Sequence, residues 1–137
     1  MAAGTKGKVG RYFGTDGYRG EAGVDLTAER AFRLGRFLGF YYGEIMRRRG
    51  NAAYRPRVAV GKDTRRSGNM LEYAVAAGPA ASGANAYLLH VTSTPSVSFV
   101  TRSDGFDGGI MISASHNPYT DNGIKVMNRA GEKEDGE

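Results

Sequence analysis

The sequence predicts an α/β protein of three layers, in which helices cover both faces of a mixed, mostly parallel sheet. Short apolar segments typical of buried strands alternate with longer segments whose apolar residues recur every three or four positions. The last apolar segment follows its predecessor after only a loop, so we expect those two strands to pair antiparallel. A chain of 137 residues fits one domain and can bury a hydrophobic core.

The first long helix is predicted from the N-cap Thr27 to about residue 49. Its apolar stripe comprises Ala31, Leu34, Leu38, Tyr41 and Ile45. Three glycines recur every four residues along it, at positions 35, 39 and 43. Since glycine destabilises a helix relative to alanine, we expect close backbone packing to compensate.

The later elements follow the same alternation. Strands are expected at residues 56–61, 85–91, 109–112 and 124–127, and helices at 68–82 and from about residue 94. Ser67 is the expected cap of the second helix, whose buried face would include Leu71, Ala74, Val75, Gly78 and Ala81. Pro79 should kink this helix or end it early. Residues 1–10 are expected to be disordered, residues 11–128 to form the domain, and residues 129–137 to be a frayed, charged tail.

Two polar segments follow predicted strands at their carboxyl ends, where open α/β sheets bind ligands. Residues 62–67 form a cationic loop that opens into a helix, which suits an anion but also an ordinary connection. The second segment, Ser115-His116-Asn117-Pro118, follows the strand at 109–112. For these four residues alone, a polar turn is the favoured interpretation.

Residues 11–20 contain three glycines and are predicted to form a loop with a tightly bent backbone. Arg19 offers a planar fork of donors suited to phosphate. On composition alone, a glycine-rich turn with a solvated arginine is the simpler interpretation. His90 is interpreted as a structural residue at a strand end, because no other His, Cys or acidic cluster accompanies it in the sequence.

Charge is unevenly distributed. Residues 1–66 carry 15 basic and 6 acidic side chains, a surplus of +9, whereas residues 67–137 carry 4 and 8, a balance of −4. A basic half permits a nucleic-acid partner or a phosphorylated small molecule. Nucleic acid is the weaker alternative, since only Tyr41, Tyr42 and Arg47–Arg49 interleave aromatic and basic side chains. The absence of cysteine fits a cytoplasmic protein, and no apolar run has the length of a membrane span.

Three segments resemble the α-D-phosphohexomutases, and the phosphoglucosamine mutases most among them. They are residues 13–20 (Phe-Gly-Thr-Asp-Gly-Tyr-Arg-Gly), 61–67 (Gly-Lys-Asp-Thr-Arg-Arg-Ser) and 115–125 (Ser-His-Asn-Pro-Tyr-Thr-Asp-Asn-Gly-Ile-Lys). The resemblance runs from about Arg11 to Met127 and covers only the first domain of that four-domain family. The chain is therefore expected to be a fragment, inactive alone, whose partners include the missing domains II–IV; a homodimer is left open.

The resemblance implies a role for each candidate site residue. Ser115 would carry a phosphate, Lys125 would act as general acid or base, and His116 would assist catalysis in the serine loop. Arg19, Arg65 and Asn117 would bind the phosphosugar. The resemblance also implies Mg²⁺, which Ser115 would bind through its phosphate, with the acidic ligands supplied by the next domain.

The reaction implied is the interconversion of glucosamine 6-phosphate and glucosamine 1-phosphate. Two alternatives remain. Within the family, the chain would be the first domain of a phosphomannomutase/phosphoglucomutase. From another class, it would be a non-catalytic module that binds anions or nucleic acid.

Overall fold

The computed structural model describes residues 13–14, 17–24, 26–113 and 121–132. The described strands are β1 (Phe13–Gly14), β2 (Gly17–Glu21), β3 (Arg57–Lys62), β4 (Asn85–Val91), β5 (Gly108–Ile112) and β6 (Asp121–Met127). The described helices are α1 (Ala28–Arg48), α2 (Gly68–Ala81) and α3 (Thr94–Ser103). Residues 1–10, predicted to be disordered, lie outside the described part.

These strands form one mixed sheet in the order β1-β2-β6-β5-β3-β4. β3 pairs parallel with both β4 and β5, whereas β6 pairs antiparallel with β5, as predicted, and also with β2. The parallel part is therefore the β5-β3-β4 half. The other half is antiparallel because β1 and β2, which the sequence did not predict, extend the sheet beyond β6.

The loop prediction for residues 11–20 is wrong for β2. Gly20 pairs with Asn122 and Arg19 with Gly123, so main-chain hydrogen bonds to β6 hold this segment extended. Glycine lowers the intrinsic preference of a segment for strand structure, which is why the local sequence indicated a loop. Pairing with the edge of β6 therefore outweighs the local preference of residues 17–21 for a loop.

Helices cover both faces of the sheet, which confirms the three-layer prediction. On one face, α1 and α2 enclose a core with the alternate strand residues Val58, Val60, Ile110, Ile112, Ile124 and Val126. On the other face, Val97 of α3 packs with Met111 and Met127. The residues of β5 and β6 thus alternate between two cores, as side chains of an extended strand do.

α1 begins where predicted, since the Thr27 hydroxyl accepts a hydrogen bond from the Arg30 amide at 3.2 Å. The predicted apolar stripe is wrong at Tyr41, which is 45% exposed, whereas Tyr42 is buried. The buried residues of this helix are Ala31, Gly35, Leu38, Gly39 and Tyr42. Gly35 and Gly39 lie in the contact with α2, so the buried stripe includes both of them as well as Tyr42.

Close backbone packing is confirmed for Gly35 and Gly39. A Cβ atom on Gly35 would lie 2.2 Å from the Val75 carbonyl oxygen, and one on Gly39 would lie 3.0 Å from the Pro79 Cα and 2.2 Å from the side-chain Oγ of Ser82. At Gly43 a Cβ would meet only Pro56, at 3.9 Å. Pro79 does not end α2, which continues to Ala81. The proline removes only the hydrogen bond to the Val75 carbonyl, the group that faces Gly35. Ala81, predicted to be buried, is exposed.

Substituting Gly78→Ala is expected to destabilise the chain by about 1–3 kcal/mol through overpacking, despite the higher helix propensity of alanine. Its Cβ would lie 2.2 Å from the Arg36 nitrogen and 2.4 Å from the Phe32 carbonyl oxygen, both backbone atoms of α1. Urea unfolding followed by circular dichroism measures the change. The matched control is Gly43→Ala, which has space for its methyl group and should not lower stability. A Gly78→Ala midpoint at or above that of the parent would contradict this packing.

Residues 128–132 form a turn that packs onto the domain, so the prediction of a frayed tail is wrong for 129–132. Asn128 Oδ1 accepts from the amides of Ala130 and Glu132, each at 3.0 Å. Arg129 Nη2 lies 2.7 Å from Asp107 Oδ1. Residues 133–137 lie outside the described part. Among the helices in the described ranges, none is long and apolar enough to cross a membrane.

Candidate active site

The predicted site segments meet at one edge of the sheet, the one formed by the carboxyl ends of β3 and β5. The Asp63 amide, directly after β3, donates to the Ile112 carbonyl at the end of β5 at 3.0 Å. The Ser113 amide, directly after β5, donates to the Gly123 carbonyl in β6 at 2.9 Å. The cationic loop and both flanks of the Ser115 segment therefore lie side by side, as expected for the carboxyl ends of parallel strands.

Gly123 is the centre of this edge. It pairs with Arg19 of β2 on one side, accepts from the Ser113 amide on the other, and precedes Lys125 by two residues. The backbones at Arg19 and Lys125 are thus brought together with the start of the Ser115 segment. The side chain of Arg19 lies outside the described part, as do the predicted site residues Ser115, His116 and Asn117.

Lys125 is half-buried on the α3 face of the sheet. It lies between Ile124 and Val126, which point into the core beneath α1 and α2. It pairs with Met111, which packs against Val97 of α3. Alternation along the strand therefore directs Lys125 to the face opposite the main core.

Arg65 is held within the loop that follows β3. Its Nε lies 3.5 Å from Asp63 Oδ2, and its own amide donates to Asp63 Oδ1 at 3.0 Å. The Arg65 side chain is only 11% exposed. A cavity of about 390 Å³ adjoins this loop, lined by residues 62–66, Asn69 and Val91.

Ser67 does not cap α2, contrary to the sequence prediction. It occupies the N-cap position with a helical backbone (φ −70°, ψ −9°), and its side chain makes no capping hydrogen bond. The hydroxyl instead accepts a hydrogen bond from Asn122 Nδ2 at 2.9 Å. The Ser67 hydroxyl thus binds β6, a distant segment, and not the first turn of α2.

A buried ion pair lies at the start of the same loop, and the sequence interpretation missed it. Glu72 is fully buried, with Oε1 2.9 Å from Lys62 Nζ and Oε2 3.3 Å from His90 Nδ1. Lys62 also donates to Asn69 Oδ1. His90 therefore does have an acidic partner. The sequence did contain a sign of this pair: Glu72 is a carboxylate next to Leu71, which belongs to the predicted apolar face of α2.

The local backbone directs His90 toward this carboxylate. His90 has a φ of 61°, a conformation rare for non-glycine residues. The pairing register of β3 with β4 shifts between Val60 and Gly61, which brings His90 opposite Gly61. This bulge lies at the end of β4, the strand that adjoins the cationic loop.

Substituting Glu72→Gln is expected to lower the free energy of unfolding by about 3–5 kcal/mol, because it leaves a buried lysine without its counter-charge. Urea denaturation measures the loss. Glu44→Gln is the matched control, since Glu44 pairs with Arg47 and Arg48 at the protein surface and its loss should be smaller. Equal losses in the two variants would show that the Glu72 pair contributes no more than a surface pair.

A second buried carboxylate lies at the opposite edge of the sheet. Asp107 accepts from the Tyr54 hydroxyl at 2.7 Å and from the Arg57 amide at 2.8 Å, and it also pairs with Arg129. Burial, followed by the hydrogen bond to Asp107, raises the pKa of the Tyr54 hydroxyl. These contacts fasten the segments that precede β3 and follow β6, so we interpret Asp107 as structural.

The chain is thus a three-layer α/β domain. Its candidate site segments, the cationic loop and the flanks of the Ser115 segment, lie together at the carboxyl ends of β3 and β5. A family model described as phosphoglucomutase/phosphomannomutase, alpha/beta/alpha domain I, matches residues 10–136. The chain therefore belongs to the phosphoglucomutase/phosphomannomutase family, which confirms the predicted family and fold class.

Within this family, the chain is similar to phosphoglucosamine mutases. The chain is 62% identical over 125 residues to the phosphoglucosamine mutase of Lachnospira eligens, which covers 91% of this chain and 27% of that protein. It is 50% identical to the phosphoglucosamine mutase of Streptococcus sanguinis, covering 94% and 27%. A crystal structure of a phosphoglucomutase/phosphomannomutase family protein from Burkholderia thailandensis aligns with a TM-score of 0.65 and 30% identity, covering 87% and 26%. The chain thus spans about a quarter of the length of the curated relatives it matches.

Proposed function

We propose that this chain is the serine-bearing domain of a phosphohexomutase that interconverts glucosamine 6-phosphate and glucosamine 1-phosphate. The supporting observation is the convergence at Gly123, where the backbones of Arg19, Ser113 and β6 meet beside the loop that carries Arg65. Arg19, Arg65 and Gly123 each lie in one of the three signatures found in the sequence, and Ser113 precedes the third by two residues. Identity of 62% to a phosphoglucosamine mutase supports this substrate above others.

In the proposed reaction, Ser115 Oγ carries a phosphoryl group and transfers it to the free hydroxyl of a bound sugar phosphate. The phosphorus–Oγ bond breaks and a phosphorus–oxygen bond to the sugar forms, while the sugar hydroxyl gives up a proton and Ser115 Oγ takes one. The bisphosphorylated sugar reorients and returns its other phosphoryl group to Ser115. A covalent intermediate divides one difficult transfer into two easier ones.

Lys125 is the proposed group that exchanges the proton with the sugar hydroxyl, for which its amine must lose its proton at working pH. Arg19 and Arg65 are proposed to bind phosphate oxygens, and His116 and Asn117 to orient groups around Ser115. Phosphoryl transfer depends chiefly on positioning and on neutralising charge, so a cationic edge built from several strands suits it.

Mg²⁺ is proposed as the cofactor from the family likeness, but the described residues alone do not fit a magnesium site. Within residues 13–14, 17–24, 26–113 and 121–132, no group of three or more His, Cys, Asp or Glu side chains could hold a metal ion. Magnesium usually combines one or two carboxylates with phosphate oxygens. From the family likeness we propose the phosphate on Ser115 as one metal ligand, and carboxylates from later segments of the enzyme as the others.

Mannose or glucose phosphates are the alternative substrates. The solved Burkholderia relative carries both names in its family title, at 30% identity. The sugar-binding wall opposite this domain would come from the three quarters of the relatives' length that this chain does not span. Substrate choice is therefore tested in an enzyme that includes those segments.

The test is a chimaera, in which the 125 matched residues of this chain replace the corresponding 27% of the Lachnospira eligens protein. We expect turnover of glucosamine 1-phosphate with Mg²⁺ and a hexose bisphosphate primer, faster than turnover of mannose 1-phosphate. The 137-residue chain alone is expected to be inactive. A folded chimaera without turnover of either sugar would contradict the proposal, and salt-sensitive binding of DNA by that chimaera would favour the nucleic-acid alternative.

A further inference from the structure

We infer that Asn122 and Ser67 form a positioning pair that fixes the cationic loop, residues 62–67, against the start of β6. The inference rests on the proposed function, because it assigns the pair to the relative placement of Arg65 and the Ser115 segment. Neither residue is proposed to touch the reacting atoms. The pair acts through the residues beside it.

Asn122 is fully buried, yet its amide uses both ends. Nδ2 donates to Ser67 Oγ at 2.9 Å, and Oδ1 accepts from the Gly123 amide at 2.9 Å. Buried polar groups require such partners, since an unsatisfied one destabilises the fold. Removing the Ser67 hydroxyl would leave Asn122 Nδ2 without the acceptor it has here.

Ser67 is the last residue of the cationic loop and directly precedes α2. A serine at this position ordinarily accepts from an amide of the first helical turn, which stabilises a helix by about 1 kcal/mol. Here that local bond is absent, and the hydroxyl is bound across the fold to β6. Helix capping therefore does not explain the serine, whereas attachment of the loop to β6 does.

The attachment joins the segments that carry the proposed site. The cationic loop is fixed at its beginning by the Asp63 amide bound to Ile112, and at its end by Ser67 bound to Asn122. Asn122 pairs with Gly20, the neighbour of Arg19, and immediately precedes Gly123, the centre of the edge. A shift of Asn122 would thus change the distance between the two proposed phosphate-binding arginines.

The expected consequence is a loss of turnover larger than the loss of stability explains. A displacement of about 1 Å in a positioning group can lower a rate by about 100-fold. For one lost hydrogen bond beside the site, we expect a decrease of about tenfold in kcat/KM, carried mainly by kcat. Phosphorylation of Ser115 by the bisphosphate primer should slow in parallel.

The experiment uses the chimaera with Ser67→Ala, Asn122→Ala and both together, assayed at a temperature where circular dichroism shows each variant folded. Either substitution breaks the same bond, so the double variant should be no slower than the slower single one. Ser67→Thr keeps the hydroxyl and should recover most of the activity. Tyr54→Phe is the control, because it removes a 2.7 Å hydrogen bond to buried Asp107 at the opposite edge.

A folded Ser67→Ala variant with the kcat/KM of Tyr54→Phe would overturn the inference, even if Asn122→Ala does not fold. So would losses that multiply in the double variant, or a Ser67→Thr variant as slow as Ser67→Ala. Failure of the proposed function is distinguishable, because it appears as an inactive parent chimaera. An active parent with unaffected variants refutes only the positioning pair.

Discussion

Substituting Ser115→Ala in the chimaera is expected to lower mutase turnover by at least about 10³-fold, because the variant has no side-chain oxygen to carry the phosphoryl group. Ser113, the nearest serine, is buried directly after β5, and its amide is bound to the Gly123 carbonyl. Its side chain would have to become exposed before it could reach a sugar.

Mass spectrometry after incubation with a hexose bisphosphate separates the two serines. The parent and a Ser113→Ala variant should carry phosphate on Ser115, whereas Ser115→Ala should carry none on this peptide. Normal turnover by a folded Ser115→Ala variant would refute the proposed relay. Phosphate found on Ser113 would instead show that Ser113, and not Ser115, carries the phosphoryl group.

Periodicity was sufficient to predict most of the fold. The segments that became α1, α2, α3 and β3 to β6 were recognised because apolar spacing reports directly which face of an element is buried. Apolar spacing predicted less reliably which individual residues lie at the centre of the buried face. Tyr42 is buried in place of Tyr41, with its hydroxyl end beside Gly108 of β5, a contact between distant segments that the helix alone does not show.

Contacts between distant segments could not be predicted from local sequence. β2 is a strand because β6 presents an edge to it, although Gly17 and Gly20 indicate a loop. The pairs Glu72–His90 and Ser67–Asn122 join residues 18 and 55 positions apart, so spacing gives no sign of them. Family likeness named Arg19, Arg65 and Lys125, and the sheet explains why such separated residues share one edge.

Substituting Lys125→Ala is expected to lower kcat by about 10²–10⁴-fold, the usual contribution of a general acid or base. Lys125 lies on β6 two residues beyond Gly123, beside the point where the Ser115 segment leaves β5. The main-chain pairing of β6 with β2 and β5 does not depend on this side chain. The melting temperature should therefore change little, and the loss should appear in turnover.

Lys125→Arg distinguishes a proton carrier from a simple positive charge. Arginine keeps the charge but does not release its proton at neutral pH, so a variant that stays as slow as Lys125→Ala indicates proton transfer. Recovery of most activity in Lys125→Arg would instead make Lys125 an electrostatic partner of the phosphate. Parent-like turnover in both variants, with matched thermal melts, would remove Lys125 from the mechanism. Measuring all three proteins across pH completes the assignment, because an amine that accepts the sugar proton acts in its unprotonated form, so kcat should rise as it deprotonates, whereas an electrostatic partner must keep its proton.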